Sequence, residues 1–245
     1  MGGILSVLYG VTVYGVFLAT FLYAIAFVGN LPVPKTIDSG TPGPLLPSLL
    51  INLALLSLFA VQHSVMARPG FKRWWTQMVP PAVERTTYVL FASLALIVLY
   101  WLWQPMTDIV WSVTDPVGRI AILAVFVLGF GLVLASTFLI NHFELFGLLQ
   151  VWARLTGRSI PEPTFKTPLI YKNTRHPLYL GFILAFWAAP TMTTGHLLFS
   201  IATTGYIFVG IWFEERDLVN LFGDQYRRYR EQVSMIIPLP RRTPR

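Results

Sequence analysis

Cysteine is absent from the 245 residues, which excludes disulfides, thiolate metal sites, c-type haem attachment and any cysteine nucleophile. Charge is scarce: Asp, Glu, Lys and Arg make up 12% of the chain against 55% hydrophobic residues, a balance that excludes an ordinary soluble domain and points to an integral membrane protein. Histidine is scarcer still, with four residues and no His-x-x-His pair, too few for a histidine-built metal oxidase such as a membrane di-iron enzyme, so no metal site is expected. No basic stretch carries the interleaved aromatics that would suit RNA or DNA, so no nucleic-acid partner is expected. The formal net charge of +7 therefore reports membrane orientation and contact with anionic lipid.

Other absences narrow the field. The opening MGGILSVLYGVTVYG lacks the basic start and small-residue cleavage pattern of a signal peptide and runs on apolar for too long, so it is expected to be retained as a first span. Internal repeats and low-complexity tracts are missing. The centres of the apolar runs hold mainly Ser, Thr and Gly, which weighs against a channel or transporter site at the bilayer midplane. The GFG at 129–131 lies inside such a run with no strand before it, so helix packing explains it better than a nucleotide loop.

What is present is a series of long apolar runs. A helix needs about 20 apolar residues, at about 1.5 Å each, to cross a bilayer. Runs of that length cover roughly 4–29, 45–66, 86–104 and 117–140. The apolar stretch 177–213 is too long for one span and is interrupted at APTMTTGH, which predicts a tight hairpin of two short helices. The expectation is an all-α, polytopic transmembrane helical bundle of five to six spans. It forms a single integral membrane domain over 1–245, with four N-terminal spans in 1–140. The tail EERDLVNLFGDQYRRYREQVSMIIP reads as an amphipathic helix that does not span, broken at Gly223–Asp224, with its second piece on the membrane surface.

Basic residues orient these spans. Arg68, Lys72, Arg73 and Arg85 fall in the second loop and Arg154, Arg158, Lys166, Lys172 and Arg175 in the fourth. Six more arginines follow position 226, namely Arg227, Arg228, Arg230, Arg241, Arg242 and Arg245. The positive-inside rule then places both termini and these loops in the cytoplasm, with Trp74, Trp75 and Trp152 as interfacial anchors.

On this topology the candidate polar residues fall at the cytoplasmic ends of the runs: His63, then Asn141, His142 and Glu144, then Arg175 and His176, then Glu214 and Glu215. Of the histidines only His196 falls at the opposite side, where the loops hold Lys35, Asp38, Asp108 and Asp115. A histidine at a helix end also serves as a cap, and RHP also reads as an ordinary helix start with proline in its first turn. Adjacent carboxylates at the end of a span are harder to explain by topology, because they lose solvation near hydrocarbon and gain nothing from anionic lipid. A polar cluster at the cytoplasmic mouth suits a water-soluble cofactor meeting a small or lipid-soluble substrate.

These residues carry a resemblance. RHPLYLG, followed by EERDLVNLFGDQYRRYREQV and IP, resembles the cofactor-binding signature of the integral membrane methyltransferases, which include isoprenylcysteine carboxyl and phospholipid methyltransferases. Membrane sterol and steroid reductases carry a similar pattern for a nicotinamide cofactor. AVQHSVMARPGFKRWWT, ERTTYVLFASLALIVLYWLWQP, STFLINHFELFGLLQVW and FKTPLIYKNTRHPLYLGF extend the likeness over nearly the whole chain to the bacterial methanethiol S-methyltransferase branch.

The resemblance implies methyl transfer from S-adenosylmethionine to a small thiol, methanethiol or hydrogen sulfide, at the cytoplasmic face of the bacterial inner membrane. Methanethiol would give dimethyl sulfide. It implies that 141–245 is the cofactor-binding part, with Glu214 or Glu215 accepting hydrogen bonds from ribose hydroxyls or the cofactor's amino group and the other pairing with Arg175 or a tail arginine. His176, Pro177, Tyr179, Leu180 and Gly181 would wall the site. For such a substrate His142 is the first candidate base, because imidazole accepts a proton near neutrality, and His63 the second. Glu144 would orient either histidine and Asn141 would donate to the sulfur. Methylation of a lipid-linked carboxylate or phospholipid amine, a nicotinamide-dependent reductase, and a lipid-binding scaffold are the alternatives.

Overall fold

The computed structural model describes residues 2–239; Arg241, Arg242 and Arg245 of the basic tail lie outside them. Among the described residues, five helices are long and apolar enough to cross a membrane. The chain is a membrane protein of the all-α, polytopic kind. It resolves into two compact units.

One unit runs to Ile109 and takes in Asn141–Pro161 and Thr193–His196. It contains α1 (Gly3–Val28), α2 (Leu45–Ala67), α3 (Pro69–Trp75), α4 (Pro81–Leu102), α6 (His142–Leu145) and α7 (Leu148–Thr156). α4 packs on α1 and α2, and α7 lies against α1. The helices are inside-out by soluble standards. On α1 the buried positions include Ser6, Gly10 and Thr20, whereas Ile4, Leu8, Val11 and Leu22 face outward. Lipid is as apolar as leucine, so small residues that let backbones approach are the ones worth burying. A Cβ at Gly10 would stand 2.7 Å from Val151 Cγ2 of α7. Buried hydroxyls fold back on their own helices: Thr87 Oγ1 donates to Val83 O at 2.8 Å and Ser93 Oγ to Val89 O at 2.9 Å. Asn52, fully buried on α2, donates to Gln104 O at 2.8 Å and accepts from Gln104 N at 2.8 Å.

The other unit takes Val110–Ile140, Glu162–Met192 and the chain from Leu197 onward. It contains α5 (Pro116–Ile140), α8 (Pro177–Trp187), most of α9 (Thr194–Phe222) and α10 (Asp224–Gln232). α5 and α8 cross at two glycines: a Cβ on Gly129 would lie 2.7 Å from Gly181 O, and one on Gly181 would lie 2.6 Å from Gly129 O. The packing role expected for the GFG segment is therefore met at Gly129. α8 and α9 join through Ser200 Oγ to Phe186 O at 2.7 Å and Trp187 Nε1 to Thr204 Oγ1 at 2.9 Å.

The hairpin differs from expectation. α8 has 11 residues, but α9 has 29 and runs unbroken through Glu214 and Glu215 to Phe222, so the first half of the expected tail helix belongs to a spanning-length helix. Charged side chains do not terminate a helix, and the stop comes only at Gly223, with φ of +57°. The APTMTTG break also contains a strand: β2 (Thr191–Thr193) pairs with β1 (Ile109–Ser112). α8 alone covers roughly 16 Å, short of the roughly 30 Å of hydrocarbon, and the extended residues after it lengthen that passage.

Candidate active site

The second unit gathers charge where α8 begins. A 3₁₀ turn at Leu169–Lys172 delivers the chain to an extended segment, in which Thr174 forms a parallel bridge to Ser234. The Arg175 N–H donates to Ser234 O at 2.9 Å and the His176 N–H to Met235 O at 3.1 Å, and Thr174 Oγ1 donates to Ile236 O at 2.7 Å. Pro177 then opens α8, where its missing N–H and fixed φ carry no penalty.

This pairing aims Arg175 and His176 at the acids of α9. Arg175 Nε meets Glu215 Oε1 at 2.7 Å, with the two side chains only 10% and 12% exposed. Arg175 Nη1 donates to Arg230 O at 2.9 Å and to Val233 O. His176 Nε2 stands 3.1 Å from the same Glu215 oxygen. Glu215 is thus committed to Arg175 and His176. Glu214 is not: its side chain is 42% exposed, and its Oε2 is buried, 3.7 Å from His176 Nδ1, without a hydrogen-bond partner. A buried oxygen left in that condition costs about 1–3 kcal/mol, so it is disposed to accept from a ligand.

Around these acids stand three tyrosines. Tyr229 Oη donates to Tyr171 O at 2.5 Å. Tyr226 is 2% exposed, and its hydroxyl has no hydrogen-bond partner among the described residues. Burial, and after it the charge of Glu215, pushes the Tyr226 phenol well above its ordinary ionisation range. Burial and then Glu214 do the same to Tyr171. Phe165 packs against Tyr226 and Tyr229.

Of the residues expected to wall the site, Tyr179 has its ring 5.6 Å from that of His176 and Pro177 is fully buried. Gly181 packs on a helix: the space a side chain would occupy is filled by Gly129 and Val133 of α5. Leu180 likewise packs on the cluster of Ile207, Ile211 and Ile236.

The candidate bases belong to the first unit. His142 Nε2 lies 2.8 Å from Tyr14 Oη, and the rings of Tyr14, Phe143 and Phe146 surround the buried imidazole. Burial lowers its pKa from the usual 6.5. Glu144, expected to orient one of the histidines, is engaged by Asn141. Its Oε2 accepts from Asn141 Nδ2 at 2.6 Å, while Asn141 Oδ1 caps α6 by accepting from the Glu144 N–H at 3.4 Å. One Asn141 amide hydrogen is thereby committed to Glu144. His63 is hydrogen-bonded to Tyr88 Oη, 2.8 Å from Nε2, and stacks on Phe59 at 5.2 Å. Tyr14 and Tyr226 escaped the sequence reading. Tyr14 sits in an apolar helical run and Tyr226 on the inner face of a polar, arginine-rich helix, both places where tyrosine reads as packing, and nothing local marks a partner 128 residues away, as His142 is from Tyr14.

The protein family described as NnrU protein matches residues 51–237. The chain is 58% identical over 234 residues to "Methanethiol S-methyltransferase 1" of Bradyrhizobium diazoefficiens, covering 96% of this chain and 82% of that one. It is 56% identical over 238 residues to "Methanethiol S-methyltransferase" of Mycobacterium tuberculosis, covering 97% and 98%. It is 31% identical over 193 residues to "Nurim" of Mus musculus, covering 75% and 73%. No solved structure matches the chain.

Proposed function

The chain belongs to the NnrU protein family and is a methyltransferase, and from that premise we propose that it transfers a methyl group from S-adenosylmethionine to methanethiol, giving dimethyl sulfide and S-adenosylhomocysteine. The observation that carries this reading is the likeness, at 56–58% identity and over nearly its whole length, to two proteins named methanethiol S-methyltransferase.

The residues of the second unit fit a polar methyl donor, since Glu214 Oε2 is buried beside His176 with no hydrogen-bond partner among the described residues. When bound, S-adenosylmethionine supplies a methyl carbon made electrophilic by its sulfonium. Glu214 accepts hydrogen bonds from it. Glu215 and Arg175 hold each other and fix His176 at the mouth of α8, and Tyr179 completes that wall. Every residue in this set falls within 141–245.

The thiol needs to shed its proton, because the thiolate is the stronger nucleophile. A neutral His142 imidazole takes that proton, Tyr14 holds the ring, and the mutual Asn141–Glu144 hydrogen bonds fix the turn that presents it. His63 is the second candidate. The basic loops and the arginines of α10 support a reading in which this chemistry lies at the cytoplasmic face of the inner membrane, with both termini on that side. The direct test supplies methanethiol and S-adenosylmethionine to the detergent-solubilised protein and assays dimethyl sulfide in the headspace. Absence of dimethyl sulfide from folded, donor-binding protein would overturn the choice of substrate.

A further inference from the structure

Resting on the reading that the substrate is a small thiol, we propose that the Arg85 guanidinium binds the substrate sulfur as a thiolate and so serves as the anion site of the reaction.

Arg85 stands one turn into α4 and is partly buried. Its Nε donates to Leu145 O at 2.8 Å, and its Cζ lies 5.2 Å from the centre of the Tyr88 ring, one turn along the same helix. These contacts spend one of the five N–H donors of a guanidinium. Among the described residues neither Nη finds an acceptor and no carboxylate pairs with Arg85. Arg175 is the contrast, matched by Glu215 and by two carbonyls. Glu84, beside Arg85 in the sequence, makes no ion pair with it, and Glu144 is engaged by Asn141. A cation drawn out of water without a counter-charge is costly, so this fork is disposed to take an anion.

The packing ties that fork to the neighbours of both candidate bases. Leu145, which accepts from Arg85, ends α6, and His142 begins it. Gly147, at φ of +85°, lets this turn close on α4: a Cβ there would stand 2.5 Å from Thr86 Oγ1. Tyr88, under the guanidinium, is hydrogen-bonded to His63 and belongs with Met66 to an apolar cluster on which Phe146 packs. Phe146 is in turn one of the rings around His142.

The surroundings select the anion. A phosphate brings more charge and more acceptors than one fork can meet. A thiolate carries a single charge on a soft sulfur, which suits a weakly hydrated guanidinium, and its methyl group suits Met66 and the aromatic rings. On ionisation the S–H proton passes to the imidazole of His142 and the electron pair of that bond stays on sulfur. Neutral thiol and neutral imidazole become thiolate and imidazolium, and Arg85 stabilises the new negative charge.

The experiment measures dimethyl sulfide formation by detergent-solubilised wild type, Arg85→Lys and Arg85→Gln, with thiocyanate as an inert monoanion. Calorimetry with S-adenosylhomocysteine reports the folded, donor-binding fraction. Thiocyanate is expected to compete with methanethiol in wild type, whereas acetonitrile, a neutral molecule of similar shape, is not. Arg85→Gln is expected to lose kcat/KM for methanethiol by roughly tenfold to a hundredfold and to lose inhibition by thiocyanate, while binding S-adenosylhomocysteine as wild type does. Arg85→Lys keeps the charge without the fork and should regain part of both, and it carries the comparison if Arg85→Gln does not fold. Restored inhibition by an anion is not something a mere strut between α4 and α6 would give. If thiocyanate fails to compete with methanethiol in wild type, or inhibits folded Arg85→Gln as strongly as wild type, the assignment is overturned. Wild type that binds S-adenosylhomocysteine yet makes no dimethyl sulfide would remove the thiol reading itself, an outcome distinct from either of these.

Discussion

Arg175 and Glu215 meet at 2.7 Å, both largely out of water, while Glu214 keeps a buried oxygen unmatched, and this division of labour between adjacent acids sets the first prediction. Glu215→Gln strips the partner from Arg175 and is expected to cost about 3–5 kcal/mol of stability, read as a fall in thermal midpoint without ligand. Glu214→Gln is expected to leave that midpoint nearly unchanged and to weaken methyl-donor binding roughly tenfold or more, read by calorimetry. The pair of acids was legible in the sequence, but their separate roles were not. Neighbours on a helix point about 100° apart, and only the approach of residue 175 decides which one is taken. His142 sets the second prediction. A general base works in its neutral form, and burial lowers this imidazole's pKa, so it stays neutral to lower pH than an ordinary histidine. The acid limb of kcat/KM is expected below pH 6.5 and should disappear in His142→Ala; a limb that persists there moves the assignment to His63. Tyr14→Phe should preserve the fold and lower kcat/KM roughly tenfold, the effect of one lost hydrogen bond.

Elements were legible in proportion to how far their signals are local. Span lengths located α1, α2 and α5 to within a residue or two, Pro177 marked the start of α8, and Gly223 followed by Asp224 marked the break before α10. α4 begins five residues earlier than expected, because its polar first turns still form helix. The continuity of α9 through its charged turns and the β1–β2 pair were hidden, since the first rests on hydrogen bonds that acids do not interrupt and the second on a partner some eighty residues away. The crossing of α5 and α8 gives the third prediction. Gly181→Ala forces a Cβ to within 2.6 Å of Gly129 O and is expected to destabilise by about 1–3 kcal/mol, read as a lower midpoint. Donor affinity of the folded fraction should be unaffected, which separates a packing glycine from a ligand-facing one.

For the whole molecule, composition made membrane residence plain and loop charge suggested a direction, whereas the return of Asn141–Pro161 to the first unit has no local signature. Direction is testable because the chain has no cysteine of its own. In intact cells a membrane-impermeant maleimide should label Asp108→Cys at once and Arg158→Cys only after permeabilisation; the reverse pattern would invert the proposed orientation. The parallel bridge between Thr174 and Ser234 also dictates an order of assembly. Met235, whose carbonyl receives the His176 amide, is made 61 residues after Thr174, and a chain emerges from the ribosome N-terminus first. A nascent chain arrested short of Ser234 would already carry Arg175, His176 and both acids of α9, yet have nothing to hold the mouth of α8 in register. Competence to bind a methyl donor would therefore wait until residues 234–236 have been made, after the spans before them have been threaded, so a half-made enzyme in the membrane draws nothing from the cell's methyl supply.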